Sequence, residues 1–110
     1  MLKTLVVQVD GKPACIVLSC DREASMKKVA VAFQGEVAEM ARPADAERLT
    51  GYRIGGVSPL GQRRCLPTVV DTATIVHPRI YLNAGQRGLQ IALAPRDLVQ
   101  ILGAIVAQVS

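Results

Sequence analysis

The stretch Thr50–Asp71, TGYRIGGVSPLGQRRCLPTVVD, holds four glycines, two prolines and three arginines in 22 residues. A linker needs glycine and proline, but not arginine at that density. Gly55, Gly56 and Gly61 lack a Cβ, so their backbone can approach a ligand closely. N–H groups presented in this way suit a bound carbonyl or oxyanion. Asn83–Gly88, NAGQRG, repeats the theme with Gly85 and Gly88 around Arg87. The plain alternative is a connecting turn for the first stretch and a hairpin turn for the second, and the residues alone leave both readings open. Lys3 is the one cation at the start of the first strand. It is a solvated edge residue unless it faces the same pocket as the two glycine turns.

Other catalytic sets are weak. His77 is the single histidine and precedes Pro78. With no second histidine to suggest a metal, it reads as a surface or turn residue. Cys15, Cys20 and Cys65 are odd in number and form no CxxC, so neither a disulfide framework nor a zinc site follows. Cys15 and Cys20 lie in an apolar strand run and read as core or half-buried. Cys65, in RRC beside the irregular loop, is the candidate reactive thiol. GGVSPLG lacks the lysine-serine pair and following helix of a phosphate-binding loop. Asp71 reads as the end of a strand. No metal or cofactor is expected.

A chain of 110 residues, half of them hydrophobic, allows one domain with a modest core. That core must be aliphatic, because the aromatics are one Phe and two Tyr. Base stacking on aromatic side chains therefore has few residues to use. No apolar run approaches the ~20 residues that cross a bilayer, and Asp10 cuts short the apolar N-terminus, so no signal peptide is read. The expected location is cytoplasmic, with no membrane partner. Residues 1–50 hold seven basic and seven acidic side chains, whereas 51–110 hold six arginines against Asp71 and Asp97. The whole excess of +4 is arginine in the second half. Arginine suits planar phosphate contacts, although ordinary surface charge would look the same.

The elements follow from punctuation and period. KTLVVQV and ACIVLSC read as a hairpin around Asp10–Gly11. Ser25 caps a helix with Met26, Val29, Ala30 and Phe33 on one face, closed by Gly35. EVAEM is a short strand, and RPADAERLTG a helix opened near Pro43 and ended by Gly51. LPTVVD is a strand with Pro67 at its start, and TATIVHP is ambiguous. RIYLNAG and GLQIALA are strands around a tight turn. APRDLVQILGAIVAQV reads as a terminal helix with Leu98, Ile101, Leu102, Ile105 and Val109 buried. The sum, about six strands and three helices interspersed, is a mixed sheet.

At LKTL, TGYRIGGVSPLGQRRCLPTVVD and IYLNAGQRGLQIAL the chain resembles the YbaK/prolyl-tRNA-synthetase-associated editing domains, along essentially all its length. GGVSPLGQRR is most similar to the YbaK branch of Cys-tRNA(Pro) deacylases. The resemblance implies an α/β domain of mixed α+β type over residues 1–110. Its sheet would be mixed, mostly antiparallel and six-stranded, or a partial barrel, flanked by helices. It implies an N-terminally short editing domain, since the family carries a segment ahead of the lysine strand. Apolar surface left uncovered there would favour a homo-oligomer. By position it implies catalytic roles for Lys3, Gly55 and Gly85. Gly56, Val57, Ser58, Pro59, Asn83, Ala84 and Gln90 would line the aminoacyl pocket. Asn83 and Gln90 stand where the branch often has serine and aspartate. Arg53, Arg63, Arg64 and Arg87 would hold tRNA phosphates. The implied partners are the 3′ acceptor end of mischarged tRNA and prolyl-tRNA synthetase, with no cofactor. The implied reaction is deacylation in which the mischarged cysteine's own thiol attacks its ester. The alternative is a non-catalytic module, of the same fold, that holds tRNA ends or synthetase.

Overall fold

A computed structural model of the chain describes residues 1–52, 57–60, 62, 66–83 and 89–110. It opens with a hairpin: β1 (Leu2–Val9) pairs antiparallel with β2 (Lys12–Ser19), Leu2 opposite Ser19 and Val9 opposite Lys12. The turn between them puts Asp10 at φ 51 and Gly11 at φ 81, the twist-matched geometry that Asp-Gly favours. The Asp10 carboxylate also accepts hydrogen bonds from Glu36 N at 3.2 Å and Val37 N at 3.0 Å. That ties the turn to the chain entering β3 (Ala38–Met40).

Helix α1 (Met26–Ala32) starts where its spacing predicts, with the Ser25 hydroxyl accepting from Lys28 N at 3.3 Å. It does not end on Gly35. Phe33 is the C-cap and Gln34 takes the positive φ, 59. Gly35 serves a close approach instead: a Cβ there would collide with Val9 Cγ1 and lie 2.9 Å from Asp10 Oδ2. Helix α2 (Pro43–Thr50) has proline in its first turn and stops at a left-handed Gly51. Strand β4 (Thr68–Asp71) runs without a break into the single turn α3 (Thr72–Ile75), which resolves TATIVHP. Strands β5 (Ile80–Asn83) and β6 (Gln90–Leu93) form an antiparallel pair of their own.

The C-terminus corrects the sequence reading. Helix α4 (Pro95–Leu102) does not reach Val109. Gly103 adopts a left-handed φ of 60, and β7 (Ile105–Ala107) then pairs parallel to Val69–Asp71. Ile101 and Ile105 are exposed, and of the expected stripe only Leu98 and Val109 are fully buried. The left-handed glycine ends the helix, and β-branched Ile105 and Val106 suit the strand that follows. Instead of six strands and three helices, the described residues therefore hold seven strands and four helices.

Five strands make one sheet in the order β3-β1-β2-β4-β7, antiparallel at its first two pairings and parallel at its last two. Strand β2 lies at its centre, with Cys15–Leu18 buried throughout. Its apolar run is therefore continuous rather than alternating. On one face Val7, Val9, Ile16, Leu18 and Val69 pack with Val29 of α1. On the other, Val17 and Val70 meet Ile80, Leu82 and Leu98, while Val6 and Cys15 meet Ala46, Leu49 and Leu66. The sheet is thus packed on both sides, and among the described residues β3 leaves the first half of the outer edge of β1 unpaired.

Candidate functional site

Strand β3 pairs with β1 only as far as Met40 opposite Val7, with one further bond of 3.0 Å from Ala41 N to Val6 O. The chain then turns into α2, and the rest of the edge borders a cleft of about 410 Å³. In a strand, the N–H and C=O of one residue share a side, and successive residues alternate. Val6 O points towards β3, so the backbone groups of Thr4 and Leu2 point the same way, into the cleft. Met1 O accepts from Cys20 N at 3.0 Å on the opposite side, in step with that alternation.

Lys3, Val57 and Asn83, from three segments far apart in sequence, all line this cleft. Lys3 is half-buried and is the one charged side chain among the described lining residues. The remaining walls are mainly apolar, including Met40, Pro43 and Ala46. The cleft thus offers a cation and strand-edge donors within an apolar pocket, an arrangement suited to a small group bearing a polarised carbonyl next to an anion.

Ser58 and Pro59 are placed elsewhere. Ser58 is buried, and its Oγ accepts from Leu60 N at 3.2 Å, closing a local turn. Pro59 lines a separate cavity of about 220 Å³ with Leu60, Leu66 and Ile101. Gln90 is exposed and pairs opposite Asn83 in the β5–β6 ladder. Arg53, Gly55, Gly56, Arg63, Arg64, Ala84, Gly85 and Arg87 lie outside the described residues, as does Cys65.

The described part of the middle segment is braced. The Tyr52 hydroxyl donates to Leu60 O at 2.6 Å, and Gln62 Nε2 donates to Ser58 O at 2.9 Å. Gln62 also meets Cys15 Sγ, 3.4 Å from its amide nitrogen, which ties the segment to the central strand. Burial pushes the Cys15 thiol up, and its hydrogen bond with Gln62 only partly opposes this. Cys20 departs from the expectation of a core or half-buried residue: it is exposed and lines the cleft. Strand β2 stops at Ser19, so Cys20 lies just past the buried ladder, a boundary that the apolar run did not mark. His77 is exposed beyond α3. Among the described residues no group of three His, Cys, Asp or Glu side chains could hold a metal ion, and no helix is long and apolar enough to cross a membrane.

The site is thus a lysine-bearing cleft beside the unpaired part of the β1 edge, in a mixed sheet packed on both faces. The family model of the aminoacyl-tRNA editing domain matches residues 1–101, and the chain belongs to that family. It is 34% identical to EbsC of Enterococcus faecalis, a candidate Cys-tRNA(Pro)/Cys-tRNA(Cys) deacylase, over all of this chain and 68% of that protein. It is 28% identical to the proline–tRNA ligase of Geobacillus kaustophilus over 79% of this chain, which amounts to only 15% of the ligase. Among solved structures, a candidate trans-editing enzyme for prolyl-tRNA synthetase superposes with a TM-score of 0.89 at 25% identity, covering 99% of this chain and 69% of that one. A hypothetical protein of known crystal structure matches with a TM-score of 0.91 at 27% identity, covering 99% of this chain and 73% of that one.

Proposed function

We propose that this chain is a trans-editing deacylase acting on mischarged tRNA, with cysteine on tRNA(Pro) as its substrate. The observation that carries the reading is the shared cleft of Lys3, Val57 and Asn83 beside the open edge of β1. Its volume falls in the range of small-ligand pockets, and its mainly apolar wall suits a short side chain such as that of cysteine. The ester carbonyl would lie along the strand edge, where Thr4 N–H can donate to the developing oxyanion. One such donor is typically worth about 3 kcal/mol. The Lys3 ammonium would face the charged end of the tRNA. Gly55 and Gly85 are assigned as further backbone donors by the family resemblance alone.

The substrate supplies the nucleophile. Its thiol attacks its own ester carbonyl: a C–S bond forms, the C–O bond to the ribose breaks, and the thiol proton leaves with the ribose hydroxyl. The chain's part is orientation, for which effective molarities on the order of 10⁵ M are known. The names of EbsC and of the trans-editing structure support this substrate class. On this reading the partners are the 3′ acceptor end of tRNA and, in the cytoplasm, prolyl-tRNA synthetase.

The test is deacylation of Cys-tRNA(Pro) and Ala-tRNA(Pro) by the purified chain. Turnover of Cys-tRNA(Pro) is expected, falling by about 10²-fold in Lys3→Ala, the usual scale for one electrostatic group. Cys20→Ser retains turnover if the substrate's thiol is the nucleophile, and loses it if a protein thiol is. Absence of turnover on both tRNAs removes the substrate assignment. Salt-dependent tRNA binding without turnover selects the non-catalytic binding module instead.

A further inference from the structure

Met1 and Leu2 line not only the first cleft but also a second one, of about 540 Å³. The second is built from different chemistry. Arg22, His77, Arg79 and Tyr81 line it, with Asp21 as the one carboxylate among the described lining residues. Asp21 accepts the Ser19 hydroxyl, which holds its carboxyl below the usual range. Neither arginine forms an ion pair among the described residues, where the salt bridges join Arg42 and Arg48 to Asp45. Arg22 donates to a neutral group, Ser110 Oγ, at 3.2 Å. Two arginine charges thus border the cleft with no ion pair to either among the described residues, although Arg22 also attracts the adjacent Asp21 carboxylate.

Two further observations point to a ligand. Thr74 also lines this cleft; it is 1% exposed, and its Oγ1 is a buried polar atom with no hydrogen-bond partner among the described residues. Buried hydroxyls nearly always have one. Tyr81, meanwhile, is 45% exposed, whereas Phe33 and Tyr52, the other aromatics, are half-buried. Strand β5 links the two clefts. Ile80 and Leu82 are buried in the core, so Tyr81 and Asn83 share the opposite face, about 7 Å apart along the strand. Tyr81 lines the second cleft and Asn83 the first.

We propose that the second cleft binds a phosphorylated nucleotide of the single-stranded RNA end whose aminoacyl ester occupies the first. The base stacks on Tyr81, Arg22 and Arg79 hold the phosphate, and Thr74 Oγ1 takes a hydrogen bond from the nucleotide. The identity of the group in the first cleft rests on the editing reading above. An aromatic face accepts any base, and the arginine fork matches phosphate.

The test uses the 5′-phosphorylated trinucleotide CCA without an amino acid, so that binding is read apart from deacylation. The wild-type chain is expected to bind it. Tyr81→Ala and Arg79→Glu should each weaken binding about tenfold or more, in line with alanine substitutions at stacking platforms. Thr74→Val should weaken binding without lowering Tm, because the hydroxyl has no partner among the described residues to lose. Lys12→Glu makes the same charge change at the far end of β2 and should leave binding as it is. The nucleotide assignment is overturned if Tyr81→Ala and Arg79→Glu bind as wild type, if Lys12→Glu weakens binding as much as Arg79→Glu, or if inorganic phosphate competes as well as the trinucleotide. Tyr81-dependent binding without deacylation of any tRNA would sink the editing reading and leave this site standing. Deacylation with trinucleotide binding indifferent to Tyr81 would do the reverse.

Discussion

Cys15 and Cys20 lie five residues apart and meet opposite surroundings, one inside the sheet and the other on a cleft wall. Alkylation of the folded chain at pH 8 should therefore modify Cys20 and spare Cys15, read by peptide mass; equal rates would contradict the burial of Cys15. The raised Cys15 thiol also carries a sign in pH. The folded state holds this proton more tightly than an unfolded thiol, whose pKa is about 8.5. The associated stability is complete below that pH and declines above it. Urea titrations between pH 8 and 10 should show a shallower decline in Cys15→Ala than in wild type. Asp71 is a different kind of buried group. It ends β4 as the sequence suggests, yet its carboxylate also accepts from Val109 N at 3.1 Å and Ser110 Oγ at 2.7 Å. Asp71→Ala strands a buried N–H and should cost about 3 kcal/mol in urea unfolding, the scale of a lost bond to a charged group.

Two glycines in the segments that follow helices differ in why they are glycine, and the difference can be measured. At Gly103 a Cβ meets nothing within 4 Å, so Gly103→Ala pays only for the left-handed backbone, about 1 kcal/mol. At Gly35 the new atom would press on Val9, whose side chain is fixed in the core. Gly35→Ala should therefore cost more than Gly103→Ala, within the 1–3 kcal/mol typical of overpacking, and denaturation curves of the two variants would show the order. The same two residues mark what the sequence could and could not tell about elements. The hairpin, α1 and α2 were legible because Asp10–Gly11, Ser25, Pro43 and Gly51 punctuate them with specific turn and cap chemistry. The sequence alone extends the C-terminal helix too far, because Leu98, Ile101, Leu102, Ile105 and Val109 fit a helical period. A parallel partner for Ile105–Ala107 becomes apparent only once β4 is in place. The one-turn helix α3 is too short to have a period at all.

Across the whole molecule, the site was legible in part and for a limited reason. Motifs drew attention to Lys3, Val57 and Asn83, but no spacing in the sequence says that they share a cleft; strand order and the early end of β3 decide that. The second cleft left no pattern, because Arg22 comes from the electrically balanced half and Arg79 from the basic half, 57 residues later. Folding thus moves the cationic surface away from what a count by halves suggests. This has a measurable consequence for binding the RNA end. If Lys3, Arg22 and Arg79 each make one phosphate contact, the logarithm of the trinucleotide binding constant should fall against log salt with a slope of about −2, at ~0.7 per contact on a single strand. Arg79→Ala should make that slope shallower by about 0.7, whereas Tyr81→Ala should lower affinity at every salt concentration and leave the slope alone. Stacking releases no counterions and phosphate contact does, so parallel lines for Tyr81→Ala and a shallower line for Arg79→Ala would separate the two contributions within one cleft.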